Sequence, residues 1–204
     1  IQRVDFDTAR DILLRAYEGG INFFDTARAY SDSEEKIGYA LSHVRENIVI
    51  ATKSGARTGA EMEAQLETSL KNLKTDYIDI YWIHNPADVE KWTPYLIPLV
   101  KSGKVKRIGV SNHNLAQIKR AEEILSKEGV HIFAVQNHYS LLNRSSETSG
   151  ILDYCRENGI TFYAYMVLEQ GALSGKYDTA HPFPADSDRG AVYNPMLPKL
   201  QKLN

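Results

Sequence analysis

The sequence predicts an α/β fold of repeated β/α units with parallel strands, and among such folds a (β/α)8 TIM barrel rather than a doubly wound sheet. Three observations carry that expectation. Short apolar runs alternate strictly with amphipathic helical patterns, and each run ends in a polar residue: Asp25, Lys53, His84, Ser111, Gln136 and Tyr165. Those exits recur every 25 to 31 residues or so, the length of one strand, loop and helix. No Gly-x-Gly-x-x-Gly follows any of the strands, and polar groups at every strand exit suit a barrel, where active sites form at that face. The strands read as nearly unbroken apolar runs, so both of their faces are expected to be covered.

Each element has its own signal. From Asp7 to Glu18, residues Ala9, Ile12, Leu13, Ala16 and Tyr17 share one helical face, and Gly19-Gly20 ends the helix. Ile21 to Asp25 is the first strand. Ser31-x-x-Glu34 has the form of a capping box and opens a helix with Ile37, Ala40, Leu41 and Val44 on one side. Ile48 to Lys53 is a strand, Met62, Leu66, Leu70 and Leu73 mark a helix, and Ile78 to His84 is the next strand. Asp88 to Ser102 is helical in pattern, with Trp92, Leu96 and Leu99 in line, but Pro94 and Pro98 predict a kink or a late start. Lys106 to Asn112 is a strand, followed by a helix on Leu115, Ile118, Glu122 and Leu125. His131 to Asn137 is a strand, Glu147 to Asn158 a helix stopped by Gly159, and Ile160 to Tyr165 the last strand. Met166 to Asn204, with four prolines and three glycines, reads as one long functional loop with a helix near Leu197, inside a single domain spanning 1–204.

Composition narrows the function classes. In 204 residues, 24 Lys and Arg stand against 26 Asp and Glu, so no positive field favours nucleic acid. No apolar run approaches the ~18 residues of a membrane span, and the first residues lack a basic patch followed by an apolar segment; the cytoplasm is the default compartment. The single Cys155 has no internal partner and falls on the apolar side of its helix, a small core residue. No His pair at metal-ligand spacing is present, and no metal site is expected.

The chemistry concentrates at the exits. Strand alternation puts Asp25 on the side of Phe23, Lys53 with Val49 and Ala51, and His84 with Ile80 and Trp82. If that side fills the barrel, the charged groups meet over its mouth, with Trp82 one layer below His84, and burial demands that they pair. Asp25 holds Lys53 charged; a charged Lys53 lowers the phenol of Tyr30 toward working pH; His84 orients the acceptor of the proton. Such a set protonates or polarises a carbonyl oxygen. It has no electron source of its own, which implies a cofactor.

The motifs D-T-A-x-x-Y, A-T-K-x-G, Y-W-I-H-N-P, G-V-S-N-H, V-Q-N-H-Y-S and A-Y-M-V-L-E-Q-G-A-L-S-G-K-Y, in this order over most of the chain, resemble the aldo-keto reductase family. By that resemblance Asp25, Tyr30, Lys53 and His84 match the catalytic four. Ser111, Asn112 and Gln136 match residues holding the nicotinamide carboxamide, and Tyr165 matches the aromatic on which the ring stacks. The loop from Met166 through Leu168 to Gln170 and Gly171 matches the one passing the pyrophosphate. The resemblance implies NADP(H)-dependent reduction of an aldehyde or ketone, a small-molecule carbonyl substrate, with Tyr30 as proton donor; these residues do not decide between NADP and NAD. About six of the family's eight β/α units are present: its first strand would precede Ile1 and its eighth would follow Asn204. Two other readings use the same residues: a Schiff-base lyase working through Lys53, and a nicotinamide-binding regulatory subunit, like the family's channel-associated members, with little turnover. Asn85 and Pro86 are placed to line a substrate pocket.

Overall fold

The structure, a computed structural model, describes residues 1–86 and 88–202. Six strands, β1 Phe23–Asp25, β2 Val49–Ser54, β3 Ile78–Ile83, β4 Val105–Ser111, β5 Ile132–His138 and β6 Thr161–Tyr165, form one sheet in sequence order. All five pairings are parallel. This is an α/β fold whose sheet is an open section of a barrel, with β1 and β6 each paired on one side among the described residues.

Parallel neighbours need a crossover, and helices supply it. Helices α1 (Phe6–Glu18), α2 (Ser33–Leu41) and α3 (Gly59–Leu73) flank the first strands. The Asp5 side chain caps α1 by accepting from the Thr8 backbone N–H, and Thr58 caps α3 through Glu61. Of the apolar positions expected to face inward on α1, Ala9 and Leu13 are buried and Ile12 is exposed. The 88–102 segment breaks as its prolines require: α4 (Val89–Trp92), a 3₁₀ turn at Thr93–Tyr95, then α5 (Leu96–Lys101). Helix α6 (Leu115–Ser126) opens on a reciprocal capping box between Asn114 and Gln117.

Three expectations need correction. The capping box at Ser31 and Glu34 does not form: Ser31 has a left-handed φ of 49°, α2 starts at Ser33, and no side chain caps it. Glu34 is instead fully buried, paired with Arg28, and accepts from Thr52 Oγ1 (2.7 Å) and Asn72 Nδ2 (3.2 Å). The helix expected over Glu147 to Asn158 is two pieces, α7 (Ser145–Thr148) and α8 (Ile151–Glu157), separated at Gly150, whose φ of 80° breaks the helical path. The stretch expected as a long loop holds a 3₁₀ turn at Glu169–Gly171, α9 (Asp188–Tyr193), a further turn at Asn194–Met196 and α10 (Leu197–Leu200). Ala172, Phe183, Tyr193, Leu197 and Leu200 give it a small core of its own. The last two residues of that expected loop lie outside the described residues.

The sheet separates two apolar layers. Outward-facing residues such as Ile50, Tyr81, Ile108, Val110 and Val135 pack with the helices through Leu66, Leu73, Ile118 and Leu125. The inner layer is Ala51, Ile80, Trp82 and Ala134, with Phe23, Val49, Phe133 and Tyr163 against it. Trp82 lies opposite Gly109 in the ladder, and a Cβ at Gly109 would stand 2.1 Å from the indole Cε3. One irregularity matters for the site. Ile108 faces Ile132 but Gly109 faces Ala134, so Phe133 is an extra residue in β5, a bulge that returns Ala134 and Gln136 to the inner face.

Candidate active site

The polar exits sit directly above this inner layer, on one parity of the strands. The Lys53 side chain is 2% exposed; its Nζ donates to Asp25 Oδ2 at 2.5 Å and to the Thr26 carbonyl at 2.7 Å. An ammonium has three N–H donors, so one stays unspent. Asp25, 30% exposed, borders a cavity of about 430 Å³ lined also by Phe23, Phe24, Tyr30 and Ile37. The loop carrying Tyr30 is tied to β2 by backbone bonds from Thr26 N to Ala51 O and from Arg28 N to Lys53 O, and it turns through Tyr30 N to Ala27 O. The Arg28–Glu34 pair anchors it beneath. Tyr30 therefore faces both other members of the set: its ring centroid is 5.3 Å from Lys53 Nζ and 5.8 Å from the His84 ring, edge-on at 77°. The four residues singled out in the sequence meet in space.

Their electrostatics differ from the expectation at one point. Burial pushes the Tyr30 phenol up, and the charges of Asp25 and Tyr165 push it the same way. No lowering by Lys53 offsets these influences. Burial lowers the Lys53 ammonium, against the opposing pull of the Asp25 charge and hydrogen bond. His84 is lowered by burial and then by Lys53, with Asp25 acting against them, so its imidazole is neutral at pH 7. The site thus presents a protonated phenol, a paired ammonium and a neutral imidazole.

Beside this lies the second group. Ser111 and Gln136 face each other across the β4–β5 register, both buried, and neither the hydroxyl nor the side-chain amide has a hydrogen-bond partner among the described residues. Such a donor and acceptor left free on the inner face fit a carboxamide, which offers both in return. Asn112, in the left-handed region at φ 61°, spends its amide inside the protein: Nδ2 donates to His84 O (3.0 Å) and Asn85 Oδ1 (3.2 Å), and Oδ1 accepts from the Tyr165 hydroxyl (2.6 Å). Past Tyr165 the chain is strained, with positive φ at Met166, Glu169, Gln170 and Gly171; Leu168 and Gln170 are exposed. Trp82 fills the inner layer below His84 as expected. Among the described residues no group of three or more His, Cys, Asp and Glu side chains is placed to hold a metal ion, and no helix is long and apolar enough to cross a membrane.

Residues 1–204 match the family model described as "Aldo/keto reductase family". The chain belongs to that family. It is 31% identical over 215 aligned residues to the aldo-keto reductase YhdN of Bacillus subtilis, covering 97% of this chain and 62% of that protein's length. It is similar in structure to a glycerol dehydrogenase of Gluconobacter oxydans (TM-score 0.82, 28% identity), matching 96% of this chain and 67% of the other. It is also similar to an aldo/keto reductase of Klebsiella pneumoniae solved in complex with NADP and acetate, with TM-score 0.73 and 28% identity over 82% of this chain and 60% of that one. This chain spans roughly half to three fifths of the length of the curated relatives it matches. Aldo-keto reductases are oxidoreductases, and the sheet of this member is a section of their barrel.

Two side chains of this site escaped the sequence reading. They are His138 and Glu169. His138 is stacked on Tyr165 with centroids 5.6 Å apart at 23°, and its Nε2–H donates to Glu169 (2.7 Å). Burial pushes the Glu169 carboxyl up, yet hydrogen bonds from Ser140, His138 and Tyr193 outweigh it and hold the group below its ordinary value. A histidine two residues after Gln136 at the end of its strand and a glutamate in a glycine-bearing loop were the available signals, and neither carries burial.

Proposed function

We propose that the chain carries the working face of an NADP(H)-dependent carbonyl reductase, with Asp25, Tyr30, Lys53 and His84 as its catalytic residues. The single observation behind this reading is the buried Lys53 ammonium, paired with Asp25 and 5.3 Å from the centre of the Tyr30 ring, with His84 edge-on to the same ring. When bound, a reduced nicotinamide supplies hydride to the carbonyl carbon. The chain's residues handle the other end of the carbonyl. Tyr30, kept protonated by its surroundings, gives its phenolic proton to the oxygen; the neutral His84 donates a hydrogen bond to that oxygen and orients it; the charged Lys53 favours the negative charge that develops on that oxygen. Ser111 and Gln136 would hold the carboxamide, Tyr165 would support one face of the ring, and the Met166–Gly171 backbone, through Met166, Leu168, Gln170 and Gly171, would pass the pyrophosphate. The substrate is a small aldehyde or ketone.

Tyr30→Phe tests the assignment. Turnover of a generic aldehyde with NADPH should fall about 10²- to 10⁴-fold, the contribution of a positioned proton donor, while quenching of protein fluorescence by NADPH persists. Full turnover in that variant removes Tyr30 from the role. Binding of NADPH by the wild type without oxidation across a panel of aldehydes replaces the enzyme with a cofactor-binding protein.

A further inference from the structure

Outside the catalytic set, Glu169 joins Glu34 as a carboxylate buried among three side-chain partners. Glu169 is 3% exposed, yet three donors from two separate parts of the chain converge on it. Ser140 Oγ and His138 Nε2 (2.7 Å) donate to Oε1, and the Tyr193 hydroxyl (2.9 Å) to Oε2. Ser140 and His138 belong to the exit of β5, Tyr193 to α9. Glu169 itself has a left-handed φ of 48°, with Met166 at 57° and Gln170 at 52°. Three non-glycine residues in that region within five positions persist only where surrounding contacts over-determine the backbone.

The imidazole it holds is fixed at both nitrogens. Asn143 Nδ2 donates to His138 Nδ1 at 2.8 Å, which leaves Nε2 as the protonated nitrogen and sets the ring's orientation toward Glu169. That ring lies stacked on Tyr165, whose hydroxyl is held in turn by Asn112. One face of Tyr165 is thus backed by a side chain that cannot rotate. Its carboxylate anchor belongs to the strained loop that follows Tyr165 in the chain.

We propose that Glu169 is a positioning residue for the cofactor: its carboxylate locks His138 behind Tyr165 and holds the Met166–Gly171 backbone in its left-handed path, so that the ring platform and the loop are preformed before the cofactor arrives. This rests on the reading that Tyr165 and the 166–171 backbone meet the nicotinamide cofactor. A preformed site binds more tightly because less ordering accompanies binding. The competing role is structural only, in which Glu169 fastens the α9 layer to the sheet through Tyr193 and has no bearing on the cofactor.

Two variants separate these roles. Tyr193→Phe cuts only the tie to α9; it should lower the melting temperature and leave the NADPH dissociation constant within about twofold. Glu169→Gln should weaken NADPH binding, followed by fluorescence quenching, about 10-fold, and should speed amide hydrogen exchange across 166–171 in the cofactor-free protein. Should Glu169→Gln fail to fold, His138→Phe asks the same question. It keeps a ring against Tyr165 and removes the N–H that reaches Glu169, and the same weakening is expected. A Glu169→Gln or His138→Phe protein that binds NADPH as the wild type does overturns the proposal and leaves the structural role. A wild-type protein that binds no NADPH overturns the cofactor reading itself, and this inference with it; wild-type binding with unaltered variant binding sinks only the inference.

Discussion

Replacing Asp25 with Asn isolates the pair on which the site is built. The change is nearly isosteric and leaves the Lys53 ammonium 2% exposed with the Thr26 carbonyl as its remaining partner. Removing one member of a fully buried pair costs about 3–5 kcal/mol. Asp25 is 30% exposed beside an open cavity, so water already screens part of the attraction and a loss of about 2–3 kcal/mol is expected. The protein has one way to reduce that cost, which is to release the lysine's proton. Burial has already lowered Lys53, and Asp25 was the group acting against burial, so in the variant the ammonium titrates lower still. The sign follows. Between the lowered native value and the ordinary ~10.5 of the unfolded chain, the unfolded state holds a proton that the native state lacks, and stability rises with pH. Urea unfolding from pH 6 to pH 10 should show the variant's deficit largest near neutrality, where the unpaired ammonium is still charged, and shrinking toward pH 10, with carbonyl reduction falling away at a lower pH than in the wild type as the ammonium under Tyr30 loses its proton. A variant within about 0.5 kcal/mol of the wild type at pH 7, with an unchanged pH slope, would refute the claim that Asp25 keeps Lys53 charged.

Two further outcomes test the surrounding packing. Gly109→Ala drives a Cβ to 2.1 Å from the buried indole of Trp82, and overpacking at so closed a contact should cost about 2–4 kcal/mol in urea unfolding and disturb the near-UV circular dichroism of the tryptophan; an unaffected protein would mean that Trp82 does not lie over that glycine. Cys155 is buried with its thiol pushed up to about 11 by that burial, so a thiol reagent at pH 8 should label it only as fast as the protein unfolds, and rapid stoichiometric labelling of the native protein would contradict its place in the core.

Much of this architecture was legible because it is local. The interval between exits located all six strands, and alternation along each strand placed Lys53 over Ala51 and His84 over Trp82, as the inner layer has them. Where the reading failed, the cause lies in distant partners. Glu34 sits where a capping residue would, but Thr52 and Asn72, on other elements, hold it in the interior. Spacing within one element cannot reveal that. The same holds for Tyr30: the sign of each neighbouring charge was readable, whereas burial, the largest influence on the phenol, was not. The bulge at Phe133 is a third case. Strict alternation counted from Ile132 would turn Gln136 toward the helices, and only the ladder shows the extra residue that returns it to the inner face. Gly109, by contrast, did carry a signal, since a glycine inside an apolar strand marks a close approach.

The two halves of the site are joined by one side chain, and the joint explains why it is an asparagine. The position of residue 112 requires a left-handed backbone, φ 61°, which glycine adopts freely and asparagine tolerates better than most residues. Glycine would satisfy the backbone and lose the rest. The amide of Asn112 donates to the carbonyl of His84 and accepts from the hydroxyl of Tyr165, so the backbone that carries His84 and the ring proposed to support the cofactor are tied to each other through a single rigid plane. Each of these groups stands at or just beyond the end of a strand, on backbone pinned by the parallel ladder: His84 N to Ser54 O, Asn112 N to Gln136 O, Tyr139 N to Tyr165 O. The distance between His84 and Tyr165 is therefore carried by the sheet, and the strained loop after Tyr165 is left with the separate task proposed for it, that of meeting the rest of the cofactor.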